Sequence, residues 1–227
     1  MLNVYYAGKG MWRTCNQPGC GTSNSDWGAD SATFALFLRW STTHDAKLGA
    51  VASELLAAAP RYPQPCAIRP CPAWSDTPAW DAVAFMREAE MLGNDPVAIF
   101  RAKAAFRYVT GSAAFGGGAC SSIPYQLPQP SERRIKTLET DANLVKAALL
   151  LYRATHERPY LDAALQRYAN DREYFLDPTV PLYTVHVVDQ DGTCTQTTRR
   201  FFASVNGNMI WNGLQLWRLT HERQFYD

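Results

Sequence analysis

The sequence predicts an all-α fold, an incomplete (α/α) hairpin barrel with a small β-hairpin near residues 182–198. Three observations predict it. A segment at 151–162 recurs at 216–227, 65 positions later, which is the signature of a repeated supersecondary unit. In each copy an apolar helical pattern ends in a short polar turn and a second helical pattern follows, as in an αα-hairpin. Long connections separate successive hairpins, and we expect a single partial-barrel domain over 1–227.

The two helices of each predicted hairpin differ in their apolar patterns. The first helices carry apolar or small residues on nearly every side, whereas their partners carry one apolar stripe. Because a helix that is apolar all round is buried, we expect the first helices to form an inner ring and the partners an outer one. The first helices are expected at 29–42, 77–92, 141–155 and 205–220, and the partners at 46–59, 96–109 and 159–175.

Residues typical of helix ends support these boundaries. Asp95, directly before a proline, is a helix N-cap signal. His44, His156 and His221 occupy the same turn of the repeat, where a histidine can cap a helix C-terminus and interact favourably with its dipole. Only His186 lies elsewhere, so neither a Ser-His-Asp triad nor a histidine-rich metal site is indicated.

The connections between hairpins are long, and each leads into the N-terminus of a predicted inner helix. They span 60–76, 110–138 and 176–203. Long loops within a compact domain are usually functional, and these three are expected on one face of the barrel. In the last of them, the dipeptide Asp191-Gly192 between two β-prone runs predicts the β-hairpin.

The number of hairpins predicts an open ring. The sequence contains three hairpins and the first helix of a fourth, whereas a closed double ring generally needs about six. We therefore expect a truncated barrel or one that a partner chain closes. Self-association through the open barrel edge is one interaction that the pattern allows.

Composition limits the other partners. The net charge is +1 and no basic run is interleaved with aromatic residues, so nucleic acid is not an expected partner. The longest apolar stretches are too short to span a membrane. Residues 1–11 do not resemble a signal peptide, which fits a chain that begins after a cleaved signal. No cofactor is expected, because the glycine run 116–118 lacks the lysine and spacing of a phosphate-binding loop.

Six cysteines indicate an oxidising compartment. Two close pairs and one distant pair are consistent with three disulfides in a secreted or periplasmic protein. The close pairs could instead hold zinc, although structural zinc sites usually use tighter spacing. Unpaired thiols in a reduced cytosolic protein are the remaining alternative. Grouped as these pairs, the residues are Cys15 and Cys20, Cys66 and Cys71, and Cys120 and Cys194.

Polar and aromatic residues gather at the predicted N-termini of the inner helices, where free backbone N–H groups and the positive ends of the helix dipoles lie. Indole rings stack on the apolar faces of sugars, and carboxylates and amides bind their hydroxyls. Cleavage of a glycosidic bond needs two carboxyl groups, one of them protonated. We expect one cavity to collect these side chains: Asp26, Trp27, Asp30, Trp74, Ser75, Asp76, Trp80, Asp81, Glu139, Asp141, Asn143, Asn206, Asn208 and Trp211.

Structural roles are the alternative for several of these residues. Asp30, Asp76 and Asp141 stand where a carboxylate caps a helix N-terminus. Trp80 and Trp211 could instead fill the core between helices.

Four segments over about residues 70–227 follow one another in an order that matches a known family. They are Trp74-Ser75-Asp76 with Trp80, the glycine run 116–118 leading to Tyr125-Gln126, Asp141-Ala142-Asn143, and Val205-Asn206-Gly207-Asn208. Together they resemble glycoside hydrolase family 76, the α-1,6-mannanase-like family of (α/α)6 barrels. The resemblance implies that Tyr125 and Gln126 bind substrate together with the residues named above.

The resemblance implies a secreted glycoside hydrolase that acts on a polysaccharide, α-mannan, by carboxylate acid/base chemistry. It places Asp76 at the family's acid/base aspartate and Ser75 where the family has its nucleophile. Asp81, Glu139 or Asp141 is then expected to supply the second carboxylate, and Trp27, Trp80 and Asn206 to bind sugar. Because the usual nucleophile is replaced, a non-catalytic glycan-binding or envelope-maintenance protein is the alternative. Sugar epimerases on the same barrel normally rely on cavity histidines, which this sequence confines mostly to turns.

Overall fold

The helices alternate between an inner and an outer position along the chain. The computed structural model describes residues 2–17, 19–62, 74–111, 120, 123, 133–196 and 199–226. In chain order its helices are α1 (Leu2–Tyr5), α2 (Trp27–Thr43), α3 (Ala46–Ala58), α4 (Asp76–Met91), α5 (Pro96–Thr110), α6 (Leu138–Thr155), α7 (Arg158–Phe175) and α8 (Ala203–Thr220), and a short 3-10 turn follows at Arg223–Phe225. The seven helices predicted from the sequence are all present, with closely similar bounds.

Packing and burial distinguish an inner from an outer layer, most clearly for the helices in the middle of the row. α2 packs on α4, α4 on α6 and α6 on α8, while α5 and α7 each pack against the inner helix that precedes them. Leu149, Leu150 and Leu151 lie about 100° apart around α6 and are all buried, as expected for a helix enclosed by neighbours. α7 instead buries a single stripe with alternating spacings of three and four, formed by Leu161, Ala164, Tyr168, Asp171 and Phe175.

The predicted β-hairpin is present and belongs to a larger sheet. β5 (His186–Gln190) and β6 (Thr193–Thr195) are joined by Asp191 and Gly192, whose φ angles of 52° and 74° suit a two-residue hairpin turn. β4 (Arg133–Thr137), which the sequence pattern did not predict, pairs antiparallel with β5 and leads directly into α6. The sheet therefore holds the start of this inner helix.

A second small sheet lies at the N-terminus and was also not predicted. Its antiparallel strands are β1 (Tyr6–Gly8), β2 (Met11–Arg13) and β3 (Thr22–Ser23). Trp12 on β2 is buried and donates a hydrogen bond from its indole to Thr33 Oγ1 on α2 at 3.2 Å. The sheet thus packs on the outside of the first hairpin.

The three repeat histidines end their helices as predicted. His44, His156 and His221 are the C-caps of α2, α6 and α8, with left-handed φ angles of 49°, 58° and 58°. The backbone N–H of each donates to the carbonyl four residues earlier, which satisfies one of the free carbonyls at the helix end.

Two of the three predicted disulfides fall on described residues, and both are formed. Cys15 pairs with Cys20, and Cys120 pairs with Cys194 across 74 positions of sequence. The second bond ties the segment before β4 to β6. Cys66 and Cys71 lie outside the described residues. Within the described part of the chain, no helix combines the length and apolar character required to cross a membrane.

Candidate functional site

The site begins where two neighbouring inner helices start side by side. Ser75, the residue before α4, and Thr140, in the first turn of α6, share a hydrogen bond of 2.8 Å between their hydroxyls. This contact brings Asp76 of α4 and Glu139 of α6 close enough that the charge of Asp76 raises the pKa of Glu139. Both carboxyls are partly buried, so the pair lies at the mouth of the inner ring.

The two carboxyl groups differ in what favours their ionised forms. Burial raises the pKa of Asp76, but its carboxylate accepts hydrogen bonds from the backbone N–H groups of Thr77 and of Asp76 itself, which oppose that rise. Burial, followed by the charge of Asp76, raises the pKa of Glu139. Among the described residues, no hydrogen bond reaches the Glu139 carboxyl. Of the two, Glu139 is therefore the better placed to keep a proton while Asp76 is ionised.

Below this carboxyl pair, two asparagines and a lysine form a hydrogen-bonded network. The Asn143 amide donates to the backbone carbonyl of Glu139 at 2.8 Å. Asn208 on α8 donates to Asn143 Oδ1 at 3.2 Å and accepts from Lys146 Nζ at 3.0 Å. Asn143 and Asn208 were predicted from the sequence, whereas Lys146 was missed. The sequence could have indicated Lys146, because it lies three residues after Asn143 and seven after Glu139, on the same face of the helix.

The predicted tryptophans occupy three different environments. Trp80 is partly buried and stacks on Phe34 of α2, with ring centroids 5.5 Å apart. Trp27 begins α2 and is 69% exposed, and Trp74 is 42% exposed just before α4. Trp211 is partly buried on α8, and the ammonium of Lys146 lies 4.9 Å from its ring centroid. Trp27, Trp74 and Trp80 leave ring surface accessible at the helix starts.

Asp30 and Asp81 lie between α2 and α4, and both are buried. Asp81 accepts hydrogen bonds from Ser25 Oγ at 2.8 Å and from the Tyr62 hydroxyl. Burial raises the pKa of Asp81 to about 6 and that of Asp30 well above its usual range, and a hydrogen bond joins the two carboxyls. Both carboxyls therefore favour their neutral forms between α2 and α4. Asp26 is the N-cap of α2, accepting from two backbone N–H groups at 2.7 and 2.9 Å.

Asp141 and Asn206 are turned away from the carboxyl pair. Asp141 accepts from the Ile123 backbone N–H at 3.0 Å and pairs with Arg167 of α7 at 2.5 Å. The Asn206 amide binds both backbone polar groups of Tyr183, at 2.9 and 3.0 Å. Asp76, Glu139, Asn143 and Asn208 thus form one connected group at the inner-helix starts, while Asp141 and Asn206 make packing contacts. Tyr125 and Gln126 lie outside the described residues.

The arrangement places two carboxyl groups beside each other at the inner-helix starts. Over the described ranges, no group of three or more His, Cys, Asp or Glu residues is arranged to hold a metal ion. Cys15 is bonded to Cys20, so these two residues do not provide the thiolates of the zinc site considered above. Two neighbouring carboxyls with raised pKa values, beside amides and accessible indoles, are suited to binding and protonating a sugar.

Comparison with known proteins relates this arrangement to a fold of known type. No family model matches the sequence, and no curated protein matches it. Solved structures do match. A family 76 glycoside hydrolase, a mannosidase from Bacteroides thetaiotaomicron, is 15% identical, with a TM-score of 0.81 over 100% of this chain and 65% of that chain. An α-1,6-mannanase from Salegentibacter is 19% identical, with a TM-score of 0.80 over 99% of this chain and 63% of that chain.

A further matching structure contains a bound oligosaccharide. An inactive variant of the Salegentibacter α-1,6-mannanase, with two adjacent aspartates replaced by alanine, is solved in complex with α-1,6-mannotetrose. It is 18% identical, with a TM-score of 0.80 over 99% of this chain and 63% of that chain. This chain therefore has the fold of the family 76 mannanases, and it spans just under two-thirds of the length of these solved structures.

Proposed function

We propose that this chain, which has the fold of the family 76 α-1,6-mannanases, is a secreted glycoside hydrolase-like protein that acts on an α-1,6-linked mannan. The observation that carries the proposal is the Asp76–Glu139 carboxyl pair at the mouth of the inner ring, with the pKa of both groups raised. The disulfide bonds support an extracellular or periplasmic location, since they persist in oxidising compartments.

The proposed chemistry uses the two carboxyls in different protonation states. Glu139, which ionises against the charge of Asp76, donates its proton to the glycosidic oxygen as the bond to the anomeric carbon breaks. Asp76, whose ionised form accepts hydrogen bonds from backbone N–H groups, acts as the base that takes a proton from the attacking water or as the group that attacks the anomeric carbon. The sequence resemblance instead implies that Asp76 is the acid/base residue. The hydrogen bonds to the Asp76 carboxylate and the effect of its charge on Glu139 favour Glu139 as the acid.

Asn208 and the accessible indoles would bind the substrate around this pair, and Asn143 would hold Asn208 in place. The buried Asn143 accepts a hydrogen bond from the partly buried Asn208, which holds the Asn208 amide in one orientation. Trp27, Trp74 and Trp80 offer ring surface for stacking on sugar faces.

The experiment that tests the proposal is reducing-sugar release from α-1,6-mannan by matched variants. We expect Asp76→Asn and Glu139→Gln each to reduce turnover by at least about 100-fold, with mannotetraose affinity changed by less than about threefold. Asp162→Asn and Glu173→Gln on the exposed face of α7 make the same chemical changes away from the site and should leave turnover unchanged. Unaltered turnover in Asp76→Asn would refute the assignment.

A second candidate function is favoured by the position of Ser75. Its side chain is fully buried and bonded to Thr140, so it cannot act as a nucleophile where the sequence resemblance expects one. A protein that binds mannan without cleaving it would show mannotetraose binding in calorimetry and no sugar release from any polysaccharide in a panel. Sugar release that disappears in both Asp76→Asn and Glu139→Gln would exclude that alternative.

A further inference from the structure

The residues beneath the carboxyl pair form columns along the inner helices. On α6, Glu139, Asn143 and Lys146 are spaced by four and three residues, so they share one helix face. On α8, Asn208 and Trp211 are similarly three residues apart. Helical side chains lean toward the N-terminus of their helix, so the long Lys146 side chain extends back toward Glu139. Its hydrogen bond to Asn208 places the ammonium directly below the candidate site.

The charge of Lys146 is not balanced by a carboxylate. Its ammonium donates to Asn208 Oδ1 and lies 4.9 Å from the Trp211 ring centroid. Within the described part of the chain, no acid forms an ion pair with it. Arg87 of α4 lies 5.7 Å from the same ring centroid, and its own carboxylate partner is Glu90 at 2.8 Å. The Arg87 guanidinium is closer to the Phe37 ring, 4.4 Å from its centroid, so the Trp211 indole has the Lys146 ammonium against it and a second cation nearby.

This arrangement concentrates positive charge that a bound anion would stabilise. Burial lowers the pKa of Lys146 to about 8, and the neighbouring charge of Arg87 adds to that effect. A partly buried ammonium loses hydration that a neutral amide and an aromatic ring replace only in part. An ammonium has three N–H donors, and Asn208 accepts one of them. An anion above Trp211 would accept from the others and offset the repulsion between the two cations.

We propose that Lys146, Arg87 and Trp211 form an anion subsite beneath the carboxyl pair, and that it takes an acidic substituent of the bound glycan. The shared chemistry is a sugar whose ring stacks on the indole and whose phosphate ester or carboxylate binds the two cations. The inference rests on the proposed function for the glycan nature of the ligand, but it does not depend on cleavage. It makes the preferred substrate an acidic mannan rather than a neutral one.

Binding is measured on the 227-residue chain with three thio-linked α-1,6-mannotrioses, which resist cleavage and keep binding separate from turnover. One is neutral, one carries a phosphate ester at C6 of its non-reducing end, and one is oxidised to the uronic acid at that carbon. Calorimetry at about 25 mM and about 300 mM salt compares their affinities, because a charge contribution weakens as salt rises. We expect the better acidic ligand to bind at least about tenfold more tightly than the neutral one at low salt.

The variants separate a binding role of Lys146 from a merely structural one. Lys146→Met should remove the preference for the acidic ligand while leaving the neutral trisaccharide within about twofold, and Lys146→Arg should retain the preference. Lys47→Met, an exposed lysine on α3, is the matched control and should bind all three ligands as the wild type does.

Each outcome is decisive for the inference. Equal affinity of the wild type for all three ligands at both salt concentrations overturns it without any variant. An equal loss for neutral and acidic ligands in Lys146→Met also overturns it, since Lys146 would then only hold Asn208 in place. A preference for the phosphate or for the uronate identifies which acidic group the subsite takes. If the protein released no sugar but preferred the acidic ligand in a salt-sensitive way, the result would count against hydrolysis and support the anion subsite.

Discussion

At the scale of single residues, the helix period decides which predicted residues can act together. Glu139 and Asp141 are two positions apart on α6, so their side chains point about 200° apart around the helix. Glu139 accordingly faces Asp76, while Asp141 faces Arg167 on α7. The same spacing separates Asn206 from Asn208 on α8, and only Asn208 joins the network with Asn143. The sequence identifies both residues of each pair as candidates, but it does not show which face of the helix points toward the inside of the ring.

The raised pKa values of Asp30 and Asp81 predict a pH-dependent stability. Folding raises the pKa of both carboxyls, so their contribution to stability is present below about pH 4 and is lost as pH rises through their folded values, about 6 for Asp81. Above that range the wild type holds buried charge near Glu88 and Asp26. Asp30→Asn should therefore raise the thermal midpoint by roughly 2–4 °C at pH 8, equivalent to about 1 kcal/mol.

Thermal unfolding followed by circular dichroism at pH 5 and pH 8 checks this prediction. The gain in Asp30→Asn should shrink at pH 5, where both wild-type carboxyls favour their neutral forms. Asp45→Asn, at the exposed N-cap of α3, is the control and should show no comparable gain at pH 8. A gain of the same size at both pH values would contradict the raised pKa values as its cause.

At the scale of secondary-structure elements, the sequence repeat corresponds to repeated contacts between inner helices and to repeated helix ends. Two side-chain hydrogen bonds join neighbouring inner helices, and each links residues that are 65 positions apart. One joins Ser75 to Thr140, and the other joins Asn143 to Asn208. These are equivalent positions in the repeat, so successive inner helices pack in one register. The repeat histidines end the helices in the left-handed conformation, which costs any side chain and β-branched ones most.

The cap of α6 gives a direct test of this conformation. His156 has a φ of 58°, so His156→Val should destabilise the fold by about 1–2 kcal/mol, because valine is strained there. Glu157→Val is the matched control, since the neighbouring residue has an extended φ of −75° that valine adopts easily. Urea unfolding should show a lower midpoint for the first variant and a much smaller change for the second. Equal losses would mean that the backbone conformation of the cap is not the cause.

At the scale of the whole molecule, one disulfide joins parts of the chain that are far apart in sequence. The Cys120–Cys194 bond closes 74 positions of sequence, which include β4, α6 and α7. Cys15–Cys20 closes only five. Because a cross-link restricts the unfolded chain more as its loop lengthens, we expect Cys120→Ser/Cys194→Ser to lower stability by about 3–4 kcal/mol. Cys15→Ser/Cys20→Ser is the control and should cost clearly less in calorimetric unfolding; a cost as large as that of the first pair would contradict loop length as the cause.

The open ring also leaves its end helices partly uncovered. Leu38 on α2 and Ile210 on α8 are 65% and 73% exposed, in the two inner helices at either end of the described row. Self-association through this edge remains a prediction of the sequence pattern.

The sequence by itself determined the helices, their order, their inner or outer layer, their histidine caps and the hairpin turn at Asp191-Gly192. Each of these depends on local periodicity or on backbone preferences of a few neighbouring residues, which a single sequence displays directly. Only the tertiary structure decided that Glu139 rather than Asp141 or Asp81 faces Asp76, that β4 joins the sheet, and that Lys146 has no acidic partner in the described chain. Those outcomes depend on how each helix is rotated against its neighbours, which is set by packing among residues far apart in sequence.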